Sequence, residues 1–513
     1  MSASPAVTGP LDAFVHAAPE DTDAAYHRLV GALWQGGEVT GLALSAVPAL
    51  IDCLAEAPAP QQGRLAVLLG LLAEAEYPDT DGPVTAAVRK GVDRFLGLLD
   101  AAGDDTALTG ALLYLLGHFP GDRERILAAT ERLALDEEDR TRLDRALQTL
   151  DPADPDLGRA WPSPAQWRLN DTERAFDRSW IRDLTPEQVE ATWQADTHSV
   201  YAYSGAKAYW EVAGGTPGTV DDTSPLRDTA GAPGTAPAES AGFGPHTAAF
   251  RCPDCGGALD FGADAVRCVD CSARYPVVHG VLDLSRRLDE GFGADEDATE
   301  DVLQNAAVMK GIGFHYEEAL RPAFLRVMGS NWGGQVSPAD EDEYLRSSVP
   351  DGGPVLDLAA GAGRWTAVLE AKVGAEELIA LDLNLAMLTG LRERLPQVPT
   401  VRASALQLPF EDGSLAAVSC WNALQAMPDA GAAIAEVGRC LRPGGTFTLL
   451  TFRWSDDPVY RYFQGAHRFP GSPNGIELFD LDEVKKWLAD AGLTVRQEEG
   501  PGTFVFITAE RTG

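Results

Sequence analysis

Four cysteines stand in two Cys-x-x-Cys pairs, Cys252-Pro-Asp-Cys255 and Cys268-Val-Asp-Cys271, with twelve residues between the pairs. Thiolates at this spacing can converge tetrahedrally on one Zn²⁺, and Gly256-Gly257 eases the first turn. Four sulfurs leave no open coordination position, so such a metal is structural. In a small ribbon it takes the place of a missing core. A redox dithiol pair or disulfides are the competing chemistries; the doubled spacing and a cytosolic setting weigh toward the metal. A second set comprises Asp357, Gly361, Gly363 and, about twenty positions past the glycines, Asp382. Glycines let a backbone turn tightly against a ligand, and a carboxylate so placed can grip ribose hydroxyls. The third candidate is His467, near Tyr460, Arg461, Tyr462 and Arg468. It is the best general base by residue type, although a single histidine in a loop is more often simply exposed.

These groups need elements to hold them. Val355-Leu-Asp-Leu358 is short and apolar, as a buried parallel strand is. Residues 364–373 suit a helix, and Leu378-Ile-Ala-Leu381 reads as a second strand ending in Asp382. The unit is therefore strand, glycine turn, helix, strand. Trp365 and Thr366 stand near where the third glycine of a dinucleotide fingerprint would fall, and no GxxxxGK[ST] is present, which excludes a P-loop. The pattern Asp357-x-x-x-Gly361-x-Gly363 resembles the first motif of class I S-adenosylmethionine (SAM) methyltransferases. The resemblance implies that Asp357, Gly361 and Gly363 line the methionine and ribose side of SAM, and that Asp382 holds the ribose hydroxyls. An ordinary βαβ turn of another Rossmann-like protein is the competing reading.

Later segments extend the resemblance over roughly 300–513. Residues 401–420 run through a polar loop, Leu408-Pro-Phe410 and an acidic turn into a strand. Residues 434–450 read as a helix stopping at Arg442-Pro-Gly-Gly445, followed by a strand over 446–450. Another helix over 479–493 and strands over 494–497 and 503–508 close the domain. Where relatives place an acid facing adenine, this chain has Ser404 beside Ala405; where they carry the fourth strand's aspartate, it has Ala416. The loop facing the methyl group often holds histidine in relatives and here offers Asn422 and Gln425. Tyr316-Glu317…Arg321-Pro322 resembles an element that closes over the cofactor, making Tyr316 a pocket candidate for catalysis, with Phe314 and His315 beside it. Tyr275-Pro-Val-Val-His-Gly-Val-Leu-Asp-Leu284 resembles the zinc ribbon of the small methyltransferase-activator proteins, and His279 reads as part of its turn.

Upstream, residues 1–150 read as all helix, with segments over 21–34, 41–56, 61–75, 83–102, 106–119, 122–135 and 137–150. Two of them look like the helices of HEAT-type repeats, whose stacked pairs offer a concave face to a peptide or protein partner; a plain helical bundle fits equally. Residues 151–213 hold Trp161, Trp167, Trp180, Trp193 and Trp210 and read as a docking or lid segment. Residues 214–246 read as a flexible linker and 247–287 as the ribbon. A net charge of −36 weighs against a nucleic-acid partner, which needs concentrated Lys and Arg. No apolar run reaches the length of a membrane span and the start lacks a signal peptide, so the expected setting is cytoplasmic.

The expected architecture is thus multidomain: an all-α, HEAT-like amino-terminal domain, a four-cysteine zinc ribbon, and an α/β Rossmann-like methyltransferase domain over 300–513. The expected function is SAM-dependent transfer of a methyl group to O or N of a small-molecule or peptide natural product. A ribosomal RNA base methyltransferase and a non-catalytic SAM-binding scaffold remain as alternatives.

Overall fold

The computed structural model of the chain describes residues 5–103, 105–151, 185–216, 242–262, 265–285, 321–467, 475–476 and 478–513. They fall into two units. The first comprises Met1–Thr219, Ala323–Gly334 and Ser455–Ile476; the second comprises Val220–Pro322, Gln335–Trp454 and Glu477–Gly513.

The first unit is helical. At its centre Ala59–Glu74 and Thr106–Leu116 pack together, and both are apolar on nearly every face, as fully enclosed helices are. Asp105 caps Thr106–Leu116 by accepting from Leu108 N–H at 3.0 Å. The expected helix over 83–102 is two, Pro83–Arg89 and Val92–Ala101. The break falls at Gly91, where a Cβ would lie 2.4 Å from the Phe95 ring, so the chain turns where only glycine fits. The helix expected at 21–34 gives way at Trp34 to a small hairpin, β1 (Trp34–Gln35) and β2 (Glu38–Val39), around Gly36-Gly37. Both glycines have positive φ, as a two-residue hairpin turn demands. Of the aromatic-rich segment, Trp161, Trp167 and Trp180 lie outside the described residues. Trp193 and Trp210 sit half-buried on the helix Pro186–Val212, whose Tyr201, Tyr203 and Tyr209 are buried.

The second unit is built on one mixed sheet. Strands β3 (Leu259–Phe261), β4 (Ala265–Cys268), β5 (Arg274–Val278) and β6 (Val281–Asp283) form an antiparallel ribbon. His279 (φ 50°) and Gly280 (φ 77°) make the two-residue turn between β5 and β6. Then follow β7 (Val355–Leu358), β8 (Leu378–Asp382), β9 (Thr400–Arg402), β10 (Leu415–Trp421), β11 (Leu441–Phe452), β12 (Leu493–Glu499) and β13 (Phe504–Arg511). Their order is β12-β13-β11-β10-β7-β8-β9-β6-β5-β4-β3. β6 runs parallel to β9, so the ribbon continues the larger sheet.

β7 and β8 are buried on both faces, which explains their unbroken apolar sequence. The glycine pair at Arg442-Pro-Gly-Gly445 does not separate helix from strand as expected. The helix ends at Cys440 and Leu441 already pairs with Leu415 of β10, but the regular ladder resumes only at Thr446 opposite Ala417, so Arg442-Pro-Gly-Gly445 forms a bulge in β11. The strand order reverses direction between β7 and β10. In open α/β sheets that reversal opens a crevice beyond the carboxyl ends of the strands.

Candidate functional site

Around that crevice the backbone takes two unusual turns. Ala359 after β7 has φ 58° and Asn422 after β10 has φ 57°. Non-glycine residues occupy the left-handed region only where their surroundings enforce it, commonly at functional sites. Gly361 (φ 54°) and Gly363 (φ 93°) complete the first turn. The two glycines serve different needs. A Cβ on Gly363 would lie 2.8 Å from Leu391 Cγ, so packing forbids one, whereas nothing lies within 4 Å of where a Cβ on Gly361 would stand. The Gly361 peptide therefore faces open room that a ligand can enter.

Two carboxylates bracket this room. Asp357 is buried in β7 and accepts from Thr366 Oγ1 at 2.6 Å. Burial, with the nearby Asp382 charge adding to it against the Thr366 hydrogen bond, pushes its pKa up to about 7. Asp382 ends β8; its Oδ2 accepts from Gly361 N–H at 2.9 Å and its Oδ1 from Asn384 N–H at 2.8 Å. Burial raises its pKa against those backbone donors. Each carboxylate oxygen can accept more than one hydrogen, so Asp382 keeps capacity for hydroxyl donors. In the helix that follows Gly363, the Trp365 indole N–H is buried without an acceptor among the described residues.

The loop after β9 places Ser404, whose Oγ accepts from Leu406 N–H at 3.2 Å, and half-buried Ala405. After β10, Asn422 is held by Gln425, whose Nε2 donates to the Asn422 carbonyl at 3.0 Å and to its Oδ1 at 3.2 Å. Thr451 Oγ1 fixes the Gln425 amide by donating to its Oε1 at 3.0 Å. Asp357, Gly361, Gly363, Asp382, Ser404, Ala405 and Asn422 thus all lie in one unit, at or just beyond the carboxyl ends of β7, β8, β9 and β10. Open room at Gly361, spare acceptors on Asp382 and the amides of Asn422 and Gln425 suit a polar nucleoside. SAM, when bound, supplies a methyl already activated on sulfonium, so the chain's task is to bind and orient.

The two catalytic candidates fare differently. Tyr316, with Phe314 and His315, lies outside the described residues. His467 belongs to the helical unit, where its ring meets Phe324 edge-on at 5.7 Å. Burial, aided by the Arg142 charge, pushes its pKa down to about 4. The imidazole is neutral at pH 7 and a weak proton acceptor.

A buried circuit that residue types did not reveal adjoins the crevice. Arg321 pairs with Glu341 at 2.6 Å, and Glu341 Oε2 also accepts from the Trp421 indole at 2.8 Å. The Arg321 guanidinium lies 4.5 Å from the Trp365 ring centre, and Trp365 meets Trp421 at 6.2 Å. A buried ion pair between distant segments has no local sequence signal, and nothing in the spacing pointed to it.

At the ribbon, the four cysteine sulfurs lie within 4.8 Å of one another. Cys252 and Cys271 are 3.8 Å apart and Cys255 and Cys268 3.5 Å. A tetrahedron with metal–sulfur bonds of about 2.3 Å has edges of roughly 3.8 Å, so the cluster fits one such ion. Gly257 and Cys271 donate backbone N–H to Cys255 and Cys268 sulfur, each at 3.4 Å, the contacts that steady thiolates. None of the seven cysteines is in a disulfide. Among the described residues no helix is long and apolar enough to cross a membrane.

Comparison with known proteins agrees with this geometry. Residues 355–445 match the family model described as a methyltransferase domain. The demethylmenaquinone methyltransferase of Thermus thermophilus is 32% identical over 168 residues, covering 28% of this chain and 76% of that protein. An uncharacterized chloroplastic methyltransferase of Arabidopsis thaliana is 29% identical over 262 residues, covering 48% of this chain and 70% of that protein. A chain from the complex of the Haloferax volcanii Trm112 methyltransferase activator with a methyltransferase matches at TM-score 0.32 and 18% identity, covering 41% of this chain and 98% of that one. With the crevice, its carboxylates and the Thermus relative together, the chain belongs to the S-adenosylmethionine-dependent methyltransferases.

Proposed function

We propose that the chain transfers a methyl group from SAM to a small molecule or peptide that arrives already nucleophilic. The observation that carries this is the end of β10, where Asn422 and Gln425 offer fixed amides and Cys420 is buried with its pKa pushed up to about 12. Amides orient an acceptor but remove no proton, so the acceptor brings its own electron pair. An oxygen or nitrogen of a natural product, ionised or neutral amine, meets that requirement. A second reading has one supporting observation: the Thermus relative is a demethylmenaquinone methyltransferase, and further relatives carry the name ubiquinone/menaquinone biosynthesis C-methyltransferase. An electron-rich ring carbon, as in a phenolate or quinol, meets the same chemical requirement.

In this reading Zn²⁺ sits in the four-cysteine cluster as a structural ion, the helical unit receives a protein or peptide partner, and the setting is cytoplasmic. The strongly acidic chain disfavours nucleic acid as acceptor. The test is to incubate the protein with methyl-¹³C SAM and panels of phenols, quinols, amines and peptides. Formation of S-adenosylhomocysteine together with one ¹³C-methylated product supports the reading, and the ¹³C shift names the atom. Retention of SAM without turnover on any panel would favour a binding scaffold instead.

A further inference from the structure

The ribbon reaches into the cofactor loops at three points. At the first, β6 pairs with β9, and Asp283 of β6 forms a buried ion pair with Arg402 of β9 at 3.2 Å. Arg402 also donates through Nε to the Leu383 carbonyl at 2.9 Å. Leu383 directly follows Asp382, and Ser404 stands two residues past Arg402. One guanidinium therefore holds the turn carrying the β8 carboxylate and the root of the β9 loop at once. At the second, Gln407 in the β9 loop donates through Nε2 to the carbonyl of Pro253, which lies inside the first Cys-x-x-Cys pair. At the third, the far end of that loop is stitched to the segment entering the knuckle. Arg251 N–H donates to the Pro409 carbonyl at 3.0 Å, Glu411 N–H donates to the Ala249 carbonyl at 2.8 Å, and the rings of Phe250 and Phe410 lie 4.7 Å apart.

The segment from Ser404 to Leu408 is thus clamped at both ends by the ribbon. A loop so short between two fixed ends has few conformations left to lose when a ligand binds, and pre-ordering of that kind raises affinity. We propose that Asp283 and Arg402 are positioning residues for the nucleoside, and that the four-cysteine ribbon serves as a built-in brace for SAM binding as well as a folded module of its own. This rests on reading the crevice as a SAM site. Linkage makes the effect reciprocal: what the ribbon adds to SAM affinity, bound SAM adds to ribbon stability.

The experiment measures SAM affinity by calorimetry, zinc content by elemental analysis and thermal melting on the full chain. It compares the unmodified protein with Asp283→Asn, Arg402→Met and Gln407→Ala. The expected result is SAM binding roughly tenfold weaker in the first two and about threefold weaker in Gln407→Ala, with zinc content unchanged in all three. Amide exchange at Leu383, Asn384 and Ser404 to Leu408 should quicken in the same variants, and added SAM should slow zinc release to a chelator. Unchanged affinity in folded, zinc-loaded variants overturns the proposal. If the two buried variants do not fold, Gln407→Ala decides alone, because its side chain is on the surface. An unmodified protein that binds no SAM would instead remove the reading beneath it.

Discussion

The strand ends of the second unit and the interior of the helical unit both gather polar groups, but they use them differently. In the helical unit several of the groups satisfy each other, although Tyr26 Oη and Trp34 Nε1 are buried with no hydrogen-bond partner among the described residues. Tyr114 and Tyr462 both donate to the buried Glu74, at 2.5 and 2.8 Å. His27 and Tyr209 converge on Asp457 at 2.9 and 2.6 Å, and Lys207 on Asp139 at 2.6 Å. At the strand ends, by contrast, Asp382 meets the backbone donors of Gly361, Leu383 and Asn384, Gly361 faces open room and the Trp365 N–H has no acceptor among the described residues. Residue type does not separate a site from a core. Spare acceptors beside open room, as at Asp382 and Gly361, do.

The comparison can be broken most forcefully at Glu74. Glu74→Ala strands the buried Tyr114 hydroxyl and the half-buried Tyr462 hydroxyl and should cost about 2–4 kcal/mol of stability, read by urea unfolding. Its effect on SAM affinity should stay within about twofold, since independent sites add. Asp382→Ala should give the opposite signature. Losing a carboxylate acceptor should weaken SAM binding by about ten- to a hundredfold in calorimetry, with a smaller change in melting temperature. A large stability loss with unchanged SAM affinity would place Asp382 with the structural groups.

A third test uses pH. With a folded pKa of about 7 against an ordinary 3.8, Asp357 binds its proton more tightly in the native state than in the unfolded one. The native state then holds more protons across that window, so the group's contribution to stability is greatest near pH 4 and falls as pH rises to 7. Melting curves of the ligand-free protein should show this slope, and Asp357→Asn should flatten it. A slope unchanged in Asp357→Asn would assign it elsewhere. The smallest effect is expected at His467. Its neutral ring fills space beside Phe324, so His467→Gln should lower the melting temperature slightly and leave the pH dependence of methyl transfer as it was. An acidic limb that disappears in His467→Gln would make it the base after all.

These residues also show what sequence could and could not disclose. Strands Val355–Leu358 and Leu378–Asp382 and the helix Arg364–Val373 stand where apolar runs and glycines put them, because each is decided by neighbours in the chain. The cysteine pairs converge for the same reason: the knuckle spacing is itself the local geometry. The hairpin at Gly36-Gly37 is equally local; it falls in the gap between the expected helices over 21–34 and 41–56 and takes only Trp34 from the first. What the chain order withheld was long-range. Asp283 and Arg402 stand 119 positions apart, and Glu341 and Trp421 stand 80 apart. Each looks like an ordinary surface charge or aromatic until the sheet brings its partner alongside.

The most direct test of the account is native mass spectrometry of the unmodified protein, mixed with excess SAM and desalted gently. The account predicts one nucleoside per chain, SAM or S-adenosylhomocysteine, with occupancy sharply reduced in Asp382→Ala. A protein that keeps its fold and retains no nucleoside under these conditions would contradict it, leaving the open room at Gly361 without the ligand proposed for it.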